Sequence, residues 1–585
     1  MSPSVAPRFD ELRRTSPTIT LGGSQLDAQL LSDLLDLRIV RGTRSTGRAT
    51  LTFVDRTFDL ARSKFKLGQP LKVSSIEPAS TLFEGTVTGL ATESGEGGAR
   101  VTVTAHDKSY DLARSSGVAT FMSQTPEDAI QSIATAAGMR AKAPSSGLQQ
   151  SWFWRADSIL GQVDEICERL GWEWMVEGDT LHCIDVSDLT TPSAACKLTV
   201  GEELTRFAAE ESGPVATEVT VRGWDDKTKR VVEARKRTPK SGSGFLAGRQ
   251  STADATTLVT RLGASSQDEA AKLAAAIAGA GATVTARGRG IFAPLVQPGR
   301  GVEIAGAGPS DGVYYVREVE HAFDGGLLRT SFVAGFRPPV RITDPWQTRR
   351  SASSLATGLH IALVDDNRGN DDFPGRIRVT IPTVSAQDSM QWARLATPGG
   401  GAKRGMQWVP EVNDEVVIAF EDGDVRRPVI IGGLFNGKDL PPLEAPVKDG
   451  KVVKRTLTSR LGHKLEMGDG SGEKEEYIDL ELAGGKVKLH LGKDRVDLQT
   501  EGKPLRIASG QDEIVFDGNG TITIKAKTIK LDAQQDVEIS GTNVKAKGQS
   551  AANLEATTVT VKANASLKLQ ASGMAELAGS VVKIN

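Results

Sequence analysis

From about Thr521 to Asn585 the chain becomes a ladder of short alternating segments, and this ladder limits what it can fold into more than any other feature. Its apolar sets read Ile522-Ile524-Ala526, Ile529-Leu531-Ala533, Val537-Ile539-Gly541, Val544-Ala546-Gly548, Ala552-Leu554-Ala556, Val559-Val561-Ala563, Leu567-Leu569-Ala571 and Val582-Ile584. Each alternates apolar with polar residues, the period of a strand with one buried face. Sets opening at 522, 537, 552, 567 and 582 stand 15 residues apart, and those at 529, 544 and 559 keep the same step. One breaks rank: a set due at Met574 runs Ala575-Leu577-Gly579, one residue late. Such a ladder predicts a β-solenoid. Most sets end on Ala or Gly, so the interior is narrow, and one thin strip of small apolar side chains cannot close a core alone. Several chains wound about one axis would close it and remove exposed strand edges. The alternative is an alternating polar stretch in a marginal sheet; a step held over four repeats favours the intertwined form.

On that reading Ile522, Ile524, Ile529, Leu531, Val537, Ile539, Val544, Leu554, Val559, Val561, Leu567 and Leu569 form the core along the shared axis. The end of the ladder, Val581, Val582, Ile584 and Asn585, would present a flush last strand. Its backbone groups and apolar side chains predict a capping partner. No His or Cys follows His490, so the tip cannot be built as a histidine metal site.

The 585 residues suggest about three to five domains. A net charge of −2 predicts no bulk attraction to nucleic acid or anionic membrane. Cys167, Cys183 and Cys196 are sparse and have no C-x-x-C spacing, which predicts a chain made in a reducing compartment without a disulfide framework. The start, MSPSVAPRFDELRRT, has no apolar core of a signal peptide, and no run of 18 apolar residues occurs. If the protein leaves the cell, another route than general secretion is expected.

Texture divides the chain. Segments such as RATLTFVD and RVTVTAHD predict strands over 1–120. Over 121–195 the pattern changes to a small α/β insertion. Thr125-Pro126-Glu127-Asp128 opens a helix that Gly138 stops, and a second runs from Asp157 or Ser158 to Leu170 with Gly171 at its end. Leu160, Val163, Ile166 and Leu170 share its apolar face; Cys167 lies near that face and reads as packing. Trp172, Trp174 and Val176 then alternate into a hairpin turning at Gly178-Asp179. Strands return over 196–345, interrupted by an alanine-rich helix with a capping box at Ser266-Gln267-Asp268-Glu269. The segment KRTPKSGSGFLAG reads as an exposed loop and 346–357 as a linker. Residues 358–442 read as a small five-stranded barrel, 443–515 as a neck of shorter strands, and 516–585 as the ladder.

The segment from GLHIALVDD to NGKDLPP resembles the OB-fold-like barrel of VgrG-type spike proteins of contractile injection systems, which phage-tail spikes and type VI secretion share. The marks are Phe373-Pro374-Gly375-Arg376, Trp392-Ala393-Arg394, Trp408-Val409-Pro410, Glu415-Val416-Val417, Gly423-Asp424, and Arg427-Pro428-Val429, with Asn436 and Pro441-Pro442. Upstream, Asp311-Gly312-Val313-Tyr314-Tyr315-Val316 and His321-Ala322-Phe323-Asp324 resemble the end of the family's hub. Asn413 replaces the family's glycine, a tolerable exchange because Asn accepts left-handed backbone better than most residues. Leu327-Leu328 replaces a Gly-aromatic pair.

Among these residues Gly375, Trp392, Trp408, Pro410, Gly423, Asp424 and Pro428 are read as structural: glycines and Gly-Asp pairs as turns, the tryptophans as barrel or interface core. Asp365-Asp366, Asp371-Asp372 and Glu421-Asp422 could mimic a glycosidase pair, but turn chemistry explains them better. His321 reads as structural, and the DGSG at 469–472 as a turn rather than a calcium loop. No H-E-x-x-H, G-x-S-x-G or P-loop occurs, so no catalytic residue, metal or cofactor is expected.

The resemblance implies a fold that is mainly β with a small α/β insertion: a trimeric hub of β-barrels, the first over 1–120 and the second over 196–345, an OB-fold-like barrel and a C-terminal triple-stranded β-helix. It implies a homotrimer bound to an inner tube protein and baseplate proteins. A PAAR-type tip protein and effector cargo would join it, and it would meet a target membrane only on firing. The chain would be made in the cytoplasm and belong to a phage-tail-like particle. No lysozyme-like insert is expected between barrel and ladder, and no effector domain is expected after Asn585. A peptidoglycan-degrading spike and a β-helical adhesin are the alternatives.

Overall fold

The computed structural model describes residues 17–335 except 77, 97, 149, 157, 190–191, 212–215, 240–254, 261–262, 281–283 and 325–326, and residues 358–584 except 370–373 and 384–391. The expected linker 346–357, most of the loop after Lys236, Phe373, the Asp371-Asp372 pair and Asn585 lie outside the described residues. The chain forms two compact units, Met1–Leu440 and Pro441–Asn585.

In the first unit, strand β1 (Leu34–Gly42) buries Leu37 and Ile39 and pairs antiparallel with Arg48–Val54. Alternation along that partner puts Ala49, Leu51 and Phe53 into the same core as Val73, Phe83, Val101 and Val103. The insertion follows the sequence closely. Helix α1 (Pro126–Ala136) starts with Thr125 accepting a hydrogen bond from the Asp128 N–H. Helix α2 (Ile159–Leu170) starts with Ser158 accepting from the Gly161 N–H and buries Val163, Ile166, Cys167 and Leu170. It stops at Gly171, which is left-handed at φ 70°, and a Cβ there would stand 2.7 Å from the Ala276 Cα. Strands β2 (Trp172–Glu177) and β3 (Thr180–Asp185) form the hairpin, with Gly178 at positive φ. Helix α3 (Gln267–Ala280) covers one face of the hairpin Glu218–Asp225/Arg230–Arg237 through Ala270, Leu273 and Ala274.

Strand β4 (Gly312–Asp324) pairs with Leu327–Gly335 on one side and with β1 on the other. This pairing joins the seven strands before 107 with six of those between 194 and 335 into one thirteen-stranded sheet. Leu327 and Leu328 take regular places opposite Asp324 and Phe323, and Leu328 packs on the first core. His321 is buried, with its Nδ1 3.0 Å from the Thr330 hydroxyl, and burial pulls its pKa down to about 3. It is a neutral, packed histidine, as expected.

Strands β5 (His360–Asp366), β6 (Ile377–Thr380), β7 (Trp392–Leu395), β8 (Glu415–Phe420) and β9 (Pro428–Gly433) close into a barrel. Its core is Ala362, Val364, Val379, Ala393, Val416, Ile418 and Ile430. Asn413 adopts φ 75°, the left-handed turn its position requires. Trp392 is buried, but Trp408 is 52% exposed and lies outside the barrel core.

The second unit opens with a five-stranded antiparallel meander: β10 (Lys454–Thr458), β11 (Lys464–Asp469), β12 (Glu476–Glu481), β13 (Val487–Gly492) and β14 (Val496–Thr500). A smaller sheet follows: β15 (Leu505–Ser509), β16 (Asp512–Phe516) and β17 (Ile522–Lys525). The first ladder set, Ile522-Ile524, thus pairs back onto Phe516 and Ile514. Beyond Lys525 the described residues pair with no other strand, and the backbone bends at 527, 534–535, 542, 549–550, 557, 564–565, 572–573 and 580. The 15-residue step of the sequence is therefore a step of the backbone. It runs through Met574, where the apolar pattern slips but the bends do not.

Candidate spike joint and assembly faces

Two groups of charges tie the barrel to the rest of the first unit. In the first, Arg426 and Asp424 of the barrel meet Arg169 of α2 and Glu269 of α3. Glu269 Oε1 lies 2.7 Å from Arg169 Nη2 and 2.8 Å from Arg426 Nη1. Asp424 Oδ2 lies 2.6 Å from Arg426 Nη2 and 3.7 Å from Arg169 Nη2. Glu269 and Asp424 are buried, and so is most of both guanidinium groups. Gly263 shapes the site: its φ is 60°, and a Cβ there would stand 2.3 Å from an Asp424 oxygen. In the second group Asp226 pairs with Arg376 and lies 3.8 Å from Arg394, while Glu421 lies 2.6 Å from both Arg394 and Arg427.

Burial opposes the charge on Glu269, but Arg426 and Arg169 outweigh it and hold the carboxyl at about 2. Asp424 is also lowered; burial works against it and Arg426, then Arg169, prevail. Arg426 is raised: burial opposes, and Asp424 and Glu269 outweigh it. Both acids have folded pKa values below their unfolded ones, so their contribution is complete above about pH 4.5 and fades as the pH falls toward 2. The protein is expected to lose melting temperature steeply in that window, and Glu269→Gln to flatten the slope. An unchanged slope in calorimetry across pH 2–5 would contradict the role given to this cluster.

This seam corrects the reading of Gly423-Asp424 and Glu421-Asp422 as turns alone. Asp424 does accept from the Arg426 N–H in a turn, but its carboxylate also completes a buried ion cluster. Ser266 caps α3 as expected, accepting from the Glu269 N–H, while Glu269 accepts from Ser265 and reaches the two arginines. The remaining carboxylates are likewise engaged: Asp365 with Arg378 and Asp366 with Arg368. Among the described residues no group of three or more metal-ligating side chains converges. Arg44 ties the hub to the insertion, its Nε 2.7 Å from Asp164, which also accepts from the Trp174 indole at 2.8 Å.

The second unit has its polarity reversed. One face of the meander carries rows running straight across the strands: Leu457, Leu465, Leu480, Leu489 and Leu498, and beside them Met467, Ile478, Leu491 and Val496. These side chains are exposed or half-buried. The other face covers itself with polar contacts: Tyr477 donates to Glu466 at 2.6 Å, and Asp479 lies 2.6 Å from His490 and 2.7 Å from Lys488. Glu466 and Asp479 are the buried charged residues of this sheet. Beyond it, Leu505-Phe516-Ile522 and Ile507-Ile514-Ile524 repeat the apolar rows.

The ladder residues extend the pattern. Ile529 is 53% exposed, Ile539 70% and Leu569 77%. Ile522, Ile524, Leu531, Val537, Val544, Leu554, Val559, Val561, Leu567, Val581, Val582 and Ile584 are likewise exposed. A single chain buries none of them. On the barrel, Leu359, Ile361, Leu363, Trp408, Ile431 and Phe435 are also exposed. The sequence did not separate the meander's faces, although its alternation carried the signal.

The first unit thus combines a large sheet, a small helical insertion and a small closed barrel. Residues 360–435 match the injector OB domain of type VI secretion systems and phage baseplates. Residues 17–324, more than half of the chain, match the family described as the Alg8 N-terminal domain, and the chain belongs to that family. Part of the chain is also similar to VgrG-type spike proteins. It is 29% identical over 163 residues to the type VI secretion system spike protein VgrG3 of Vibrio cholerae, covering 27% of this chain and 15% of that protein. It is 25% identical over 142 residues to the actin cross-linking toxin VgrG1 of Vibrio cholerae, covering 23% of this chain and 13% of that one. The chain thus spans a small part of the curated relatives it matches. An E. coli component of the type VI secretion system, described as similar to the T4 tail proteins gp27 and gp5, superposes with a TM-score of 0.43. That match has 16% identity and covers 69% of this chain and 96% of that one.

Proposed function

We propose that three copies of this chain form the central spike of a contractile injection apparatus. The observation that carries this reading is the set of exposed apolar side chains of the second unit, from the leucine rows of the meander to the last ladder set. Soluble monomers rarely leave so much apolar surface bare. Three such surfaces around one axis would bury it, at roughly 25 cal/mol per Å². The ladder would then be a triple-stranded β-helix whose hydrogen bonds run between chains, stiff because bending it breaks many bonds together.

On this reading the hub meets the inner tube and baseplate proteins, and sheath contraction drives the β-helix through a target envelope. Val581, Val582, Ile584 and Asn585 bind a PAAR-type tip, which carries or recruits an effector. The mechanics need stiffness and no chemistry. None of the helices among the described residues is long and apolar enough to cross a membrane, in keeping with a part carried by a particle.

The tip assignment is tested on assembled particles. A small tip protein is expected at about one copy per three spike chains. Replacing Val582 and Ile584 by Asp should remove that protein and leave the spike assembled. Intact particles containing no small tip protein would overturn the assignment.

A further inference from the structure

The insertion contains two thiols that the spike's mechanics do not use. Cys167 lies on α2 and Cys183 on β3, where it stands opposite Trp174 of β2. Their Sγ atoms are 3.8 Å apart. Both are free thiols buried in one apolar cluster with Val163, Ile166 and Leu181. Cys196 packs against a different cluster, so the pairing is unambiguous.

We propose that Cys167 and Cys183 are a redox pair, closing to a disulfide when the protein meets a hydroperoxide and stapling α2 to the β2–β3 hairpin. A disulfide needs an S–S distance near 2.05 Å, so each side chain must turn toward the other within the cluster. Cys183 retains 7% exposure, whereas Cys167 is sealed. Burial, then the neighbouring Cys183, pushes the Cys167 thiol well above its usual range, so the reaction starts at Cys183. The Cys183 sulfur attacks one peroxide oxygen; the O–O bond breaks, and the other oxygen leaves as water with the thiol proton. The Cys167 sulfur then attacks the resulting sulfenic acid. An S–S bond forms, the S–O bond breaks, and the hydroxyl leaves as a second water with the Cys167 proton. Two thiols are oxidised and one peroxide is reduced.

The staple would close a short loop and restrain a helix with two structural duties. Asp164 of α2 holds Arg44 and Trp174, and Arg169 of α2 belongs to the ion cluster at the barrel. Oxidation would therefore fix the insertion against both neighbours.

The experiment uses the full chain, purified under a reducing agent and treated with hydrogen peroxide in slight excess. After denaturation, alkylation is expected to fall from three thiols to one, and peptide mapping to join the segments containing Cys167 and Cys183. Amide exchange in α2 should slow by about tenfold and return on reduction. Cys167→Ser and Cys183→Ala should each abolish the linked peptide. Three alkylated thiols, a sulfinic acid at Cys183 without a linked peptide, or a link to Cys196 would each overturn the proposal. The wild-type mapping decides the matter even if a variant fails to fold.

Discussion

Replacing Leu480 by Asp is expected to convert the assembled protein into monomers while leaving the hub folded. Leu480 sits mid-row in the meander, paired with Leu465 on one side and Leu489 on the other. In one chain it is exposed. A surface substitution of that kind changes stability by less than about 0.5 kcal/mol. At a threefold axis the consequences differ. Each chain loses the burial of a leucine, about 2–5 kcal/mol, and three carboxylates meet in an apolar interior without partners. The same substitution therefore separates a free surface from a shared core. Sedimentation velocity should show the variant at one-chain mass with a far-ultraviolet spectrum still rich in strand. A variant that sediments like the wild type would place the leucine rows outside any interface.

Arg426→Ala carries the second large effect. Removing this buried arginine leaves Asp424 with only Arg169 at 3.7 Å and takes one of two cations from Glu269. Breaking a buried pair on one side costs about 3–5 kcal/mol, because the remaining charge stays desolvated. Lys should rescue only partly, since a point charge cannot bridge two carboxylates as a planar fork does. Calorimetry is expected to show a lower transition for the Met1–Leu440 unit and no change for the second. Arg140→Ala, which breaks an exposed pair with Asp179, serves as control and should have no measurable effect. Equal small shifts for both would mean that the cluster does not hold the barrel in place.

Local chemistry made much of this architecture legible. Thr125 and Ser158 cap their helices because a short side-chain oxygen ahead of an apolar face leaves few other outcomes. Gly171 ends α2 for a similarly local reason. The 15-residue spacing survived into the backbone bends because each repeat is one structural unit. The barrel came through its resemblance, supported by alternation in β5 and β8. The ion seam was not legible, since Arg169, Glu269, Asp424 and Arg426 meet only when separate elements pack. Asp424 looked like a turn residue because it is one; its second role depends on α2 and α3. Trp408 looked like core because its type usually is, yet one chain leaves it half in solvent. In the meander, segments such as KLEMGD and KVKLHL did alternate. Their apolar side chains form rows only through the register of neighbouring paired strands, which no single segment specifies.

The native mass of the purified chain in light scattering tests the central claim most directly. Three chains of 62.1 kDa give about 186 kDa, and the proposed trimer predicts that value with no decline on dilution. A mass near that of one chain would contradict it: the apolar rows and the ladder would stand open to water, and the spike would have no shared core to stiffen it.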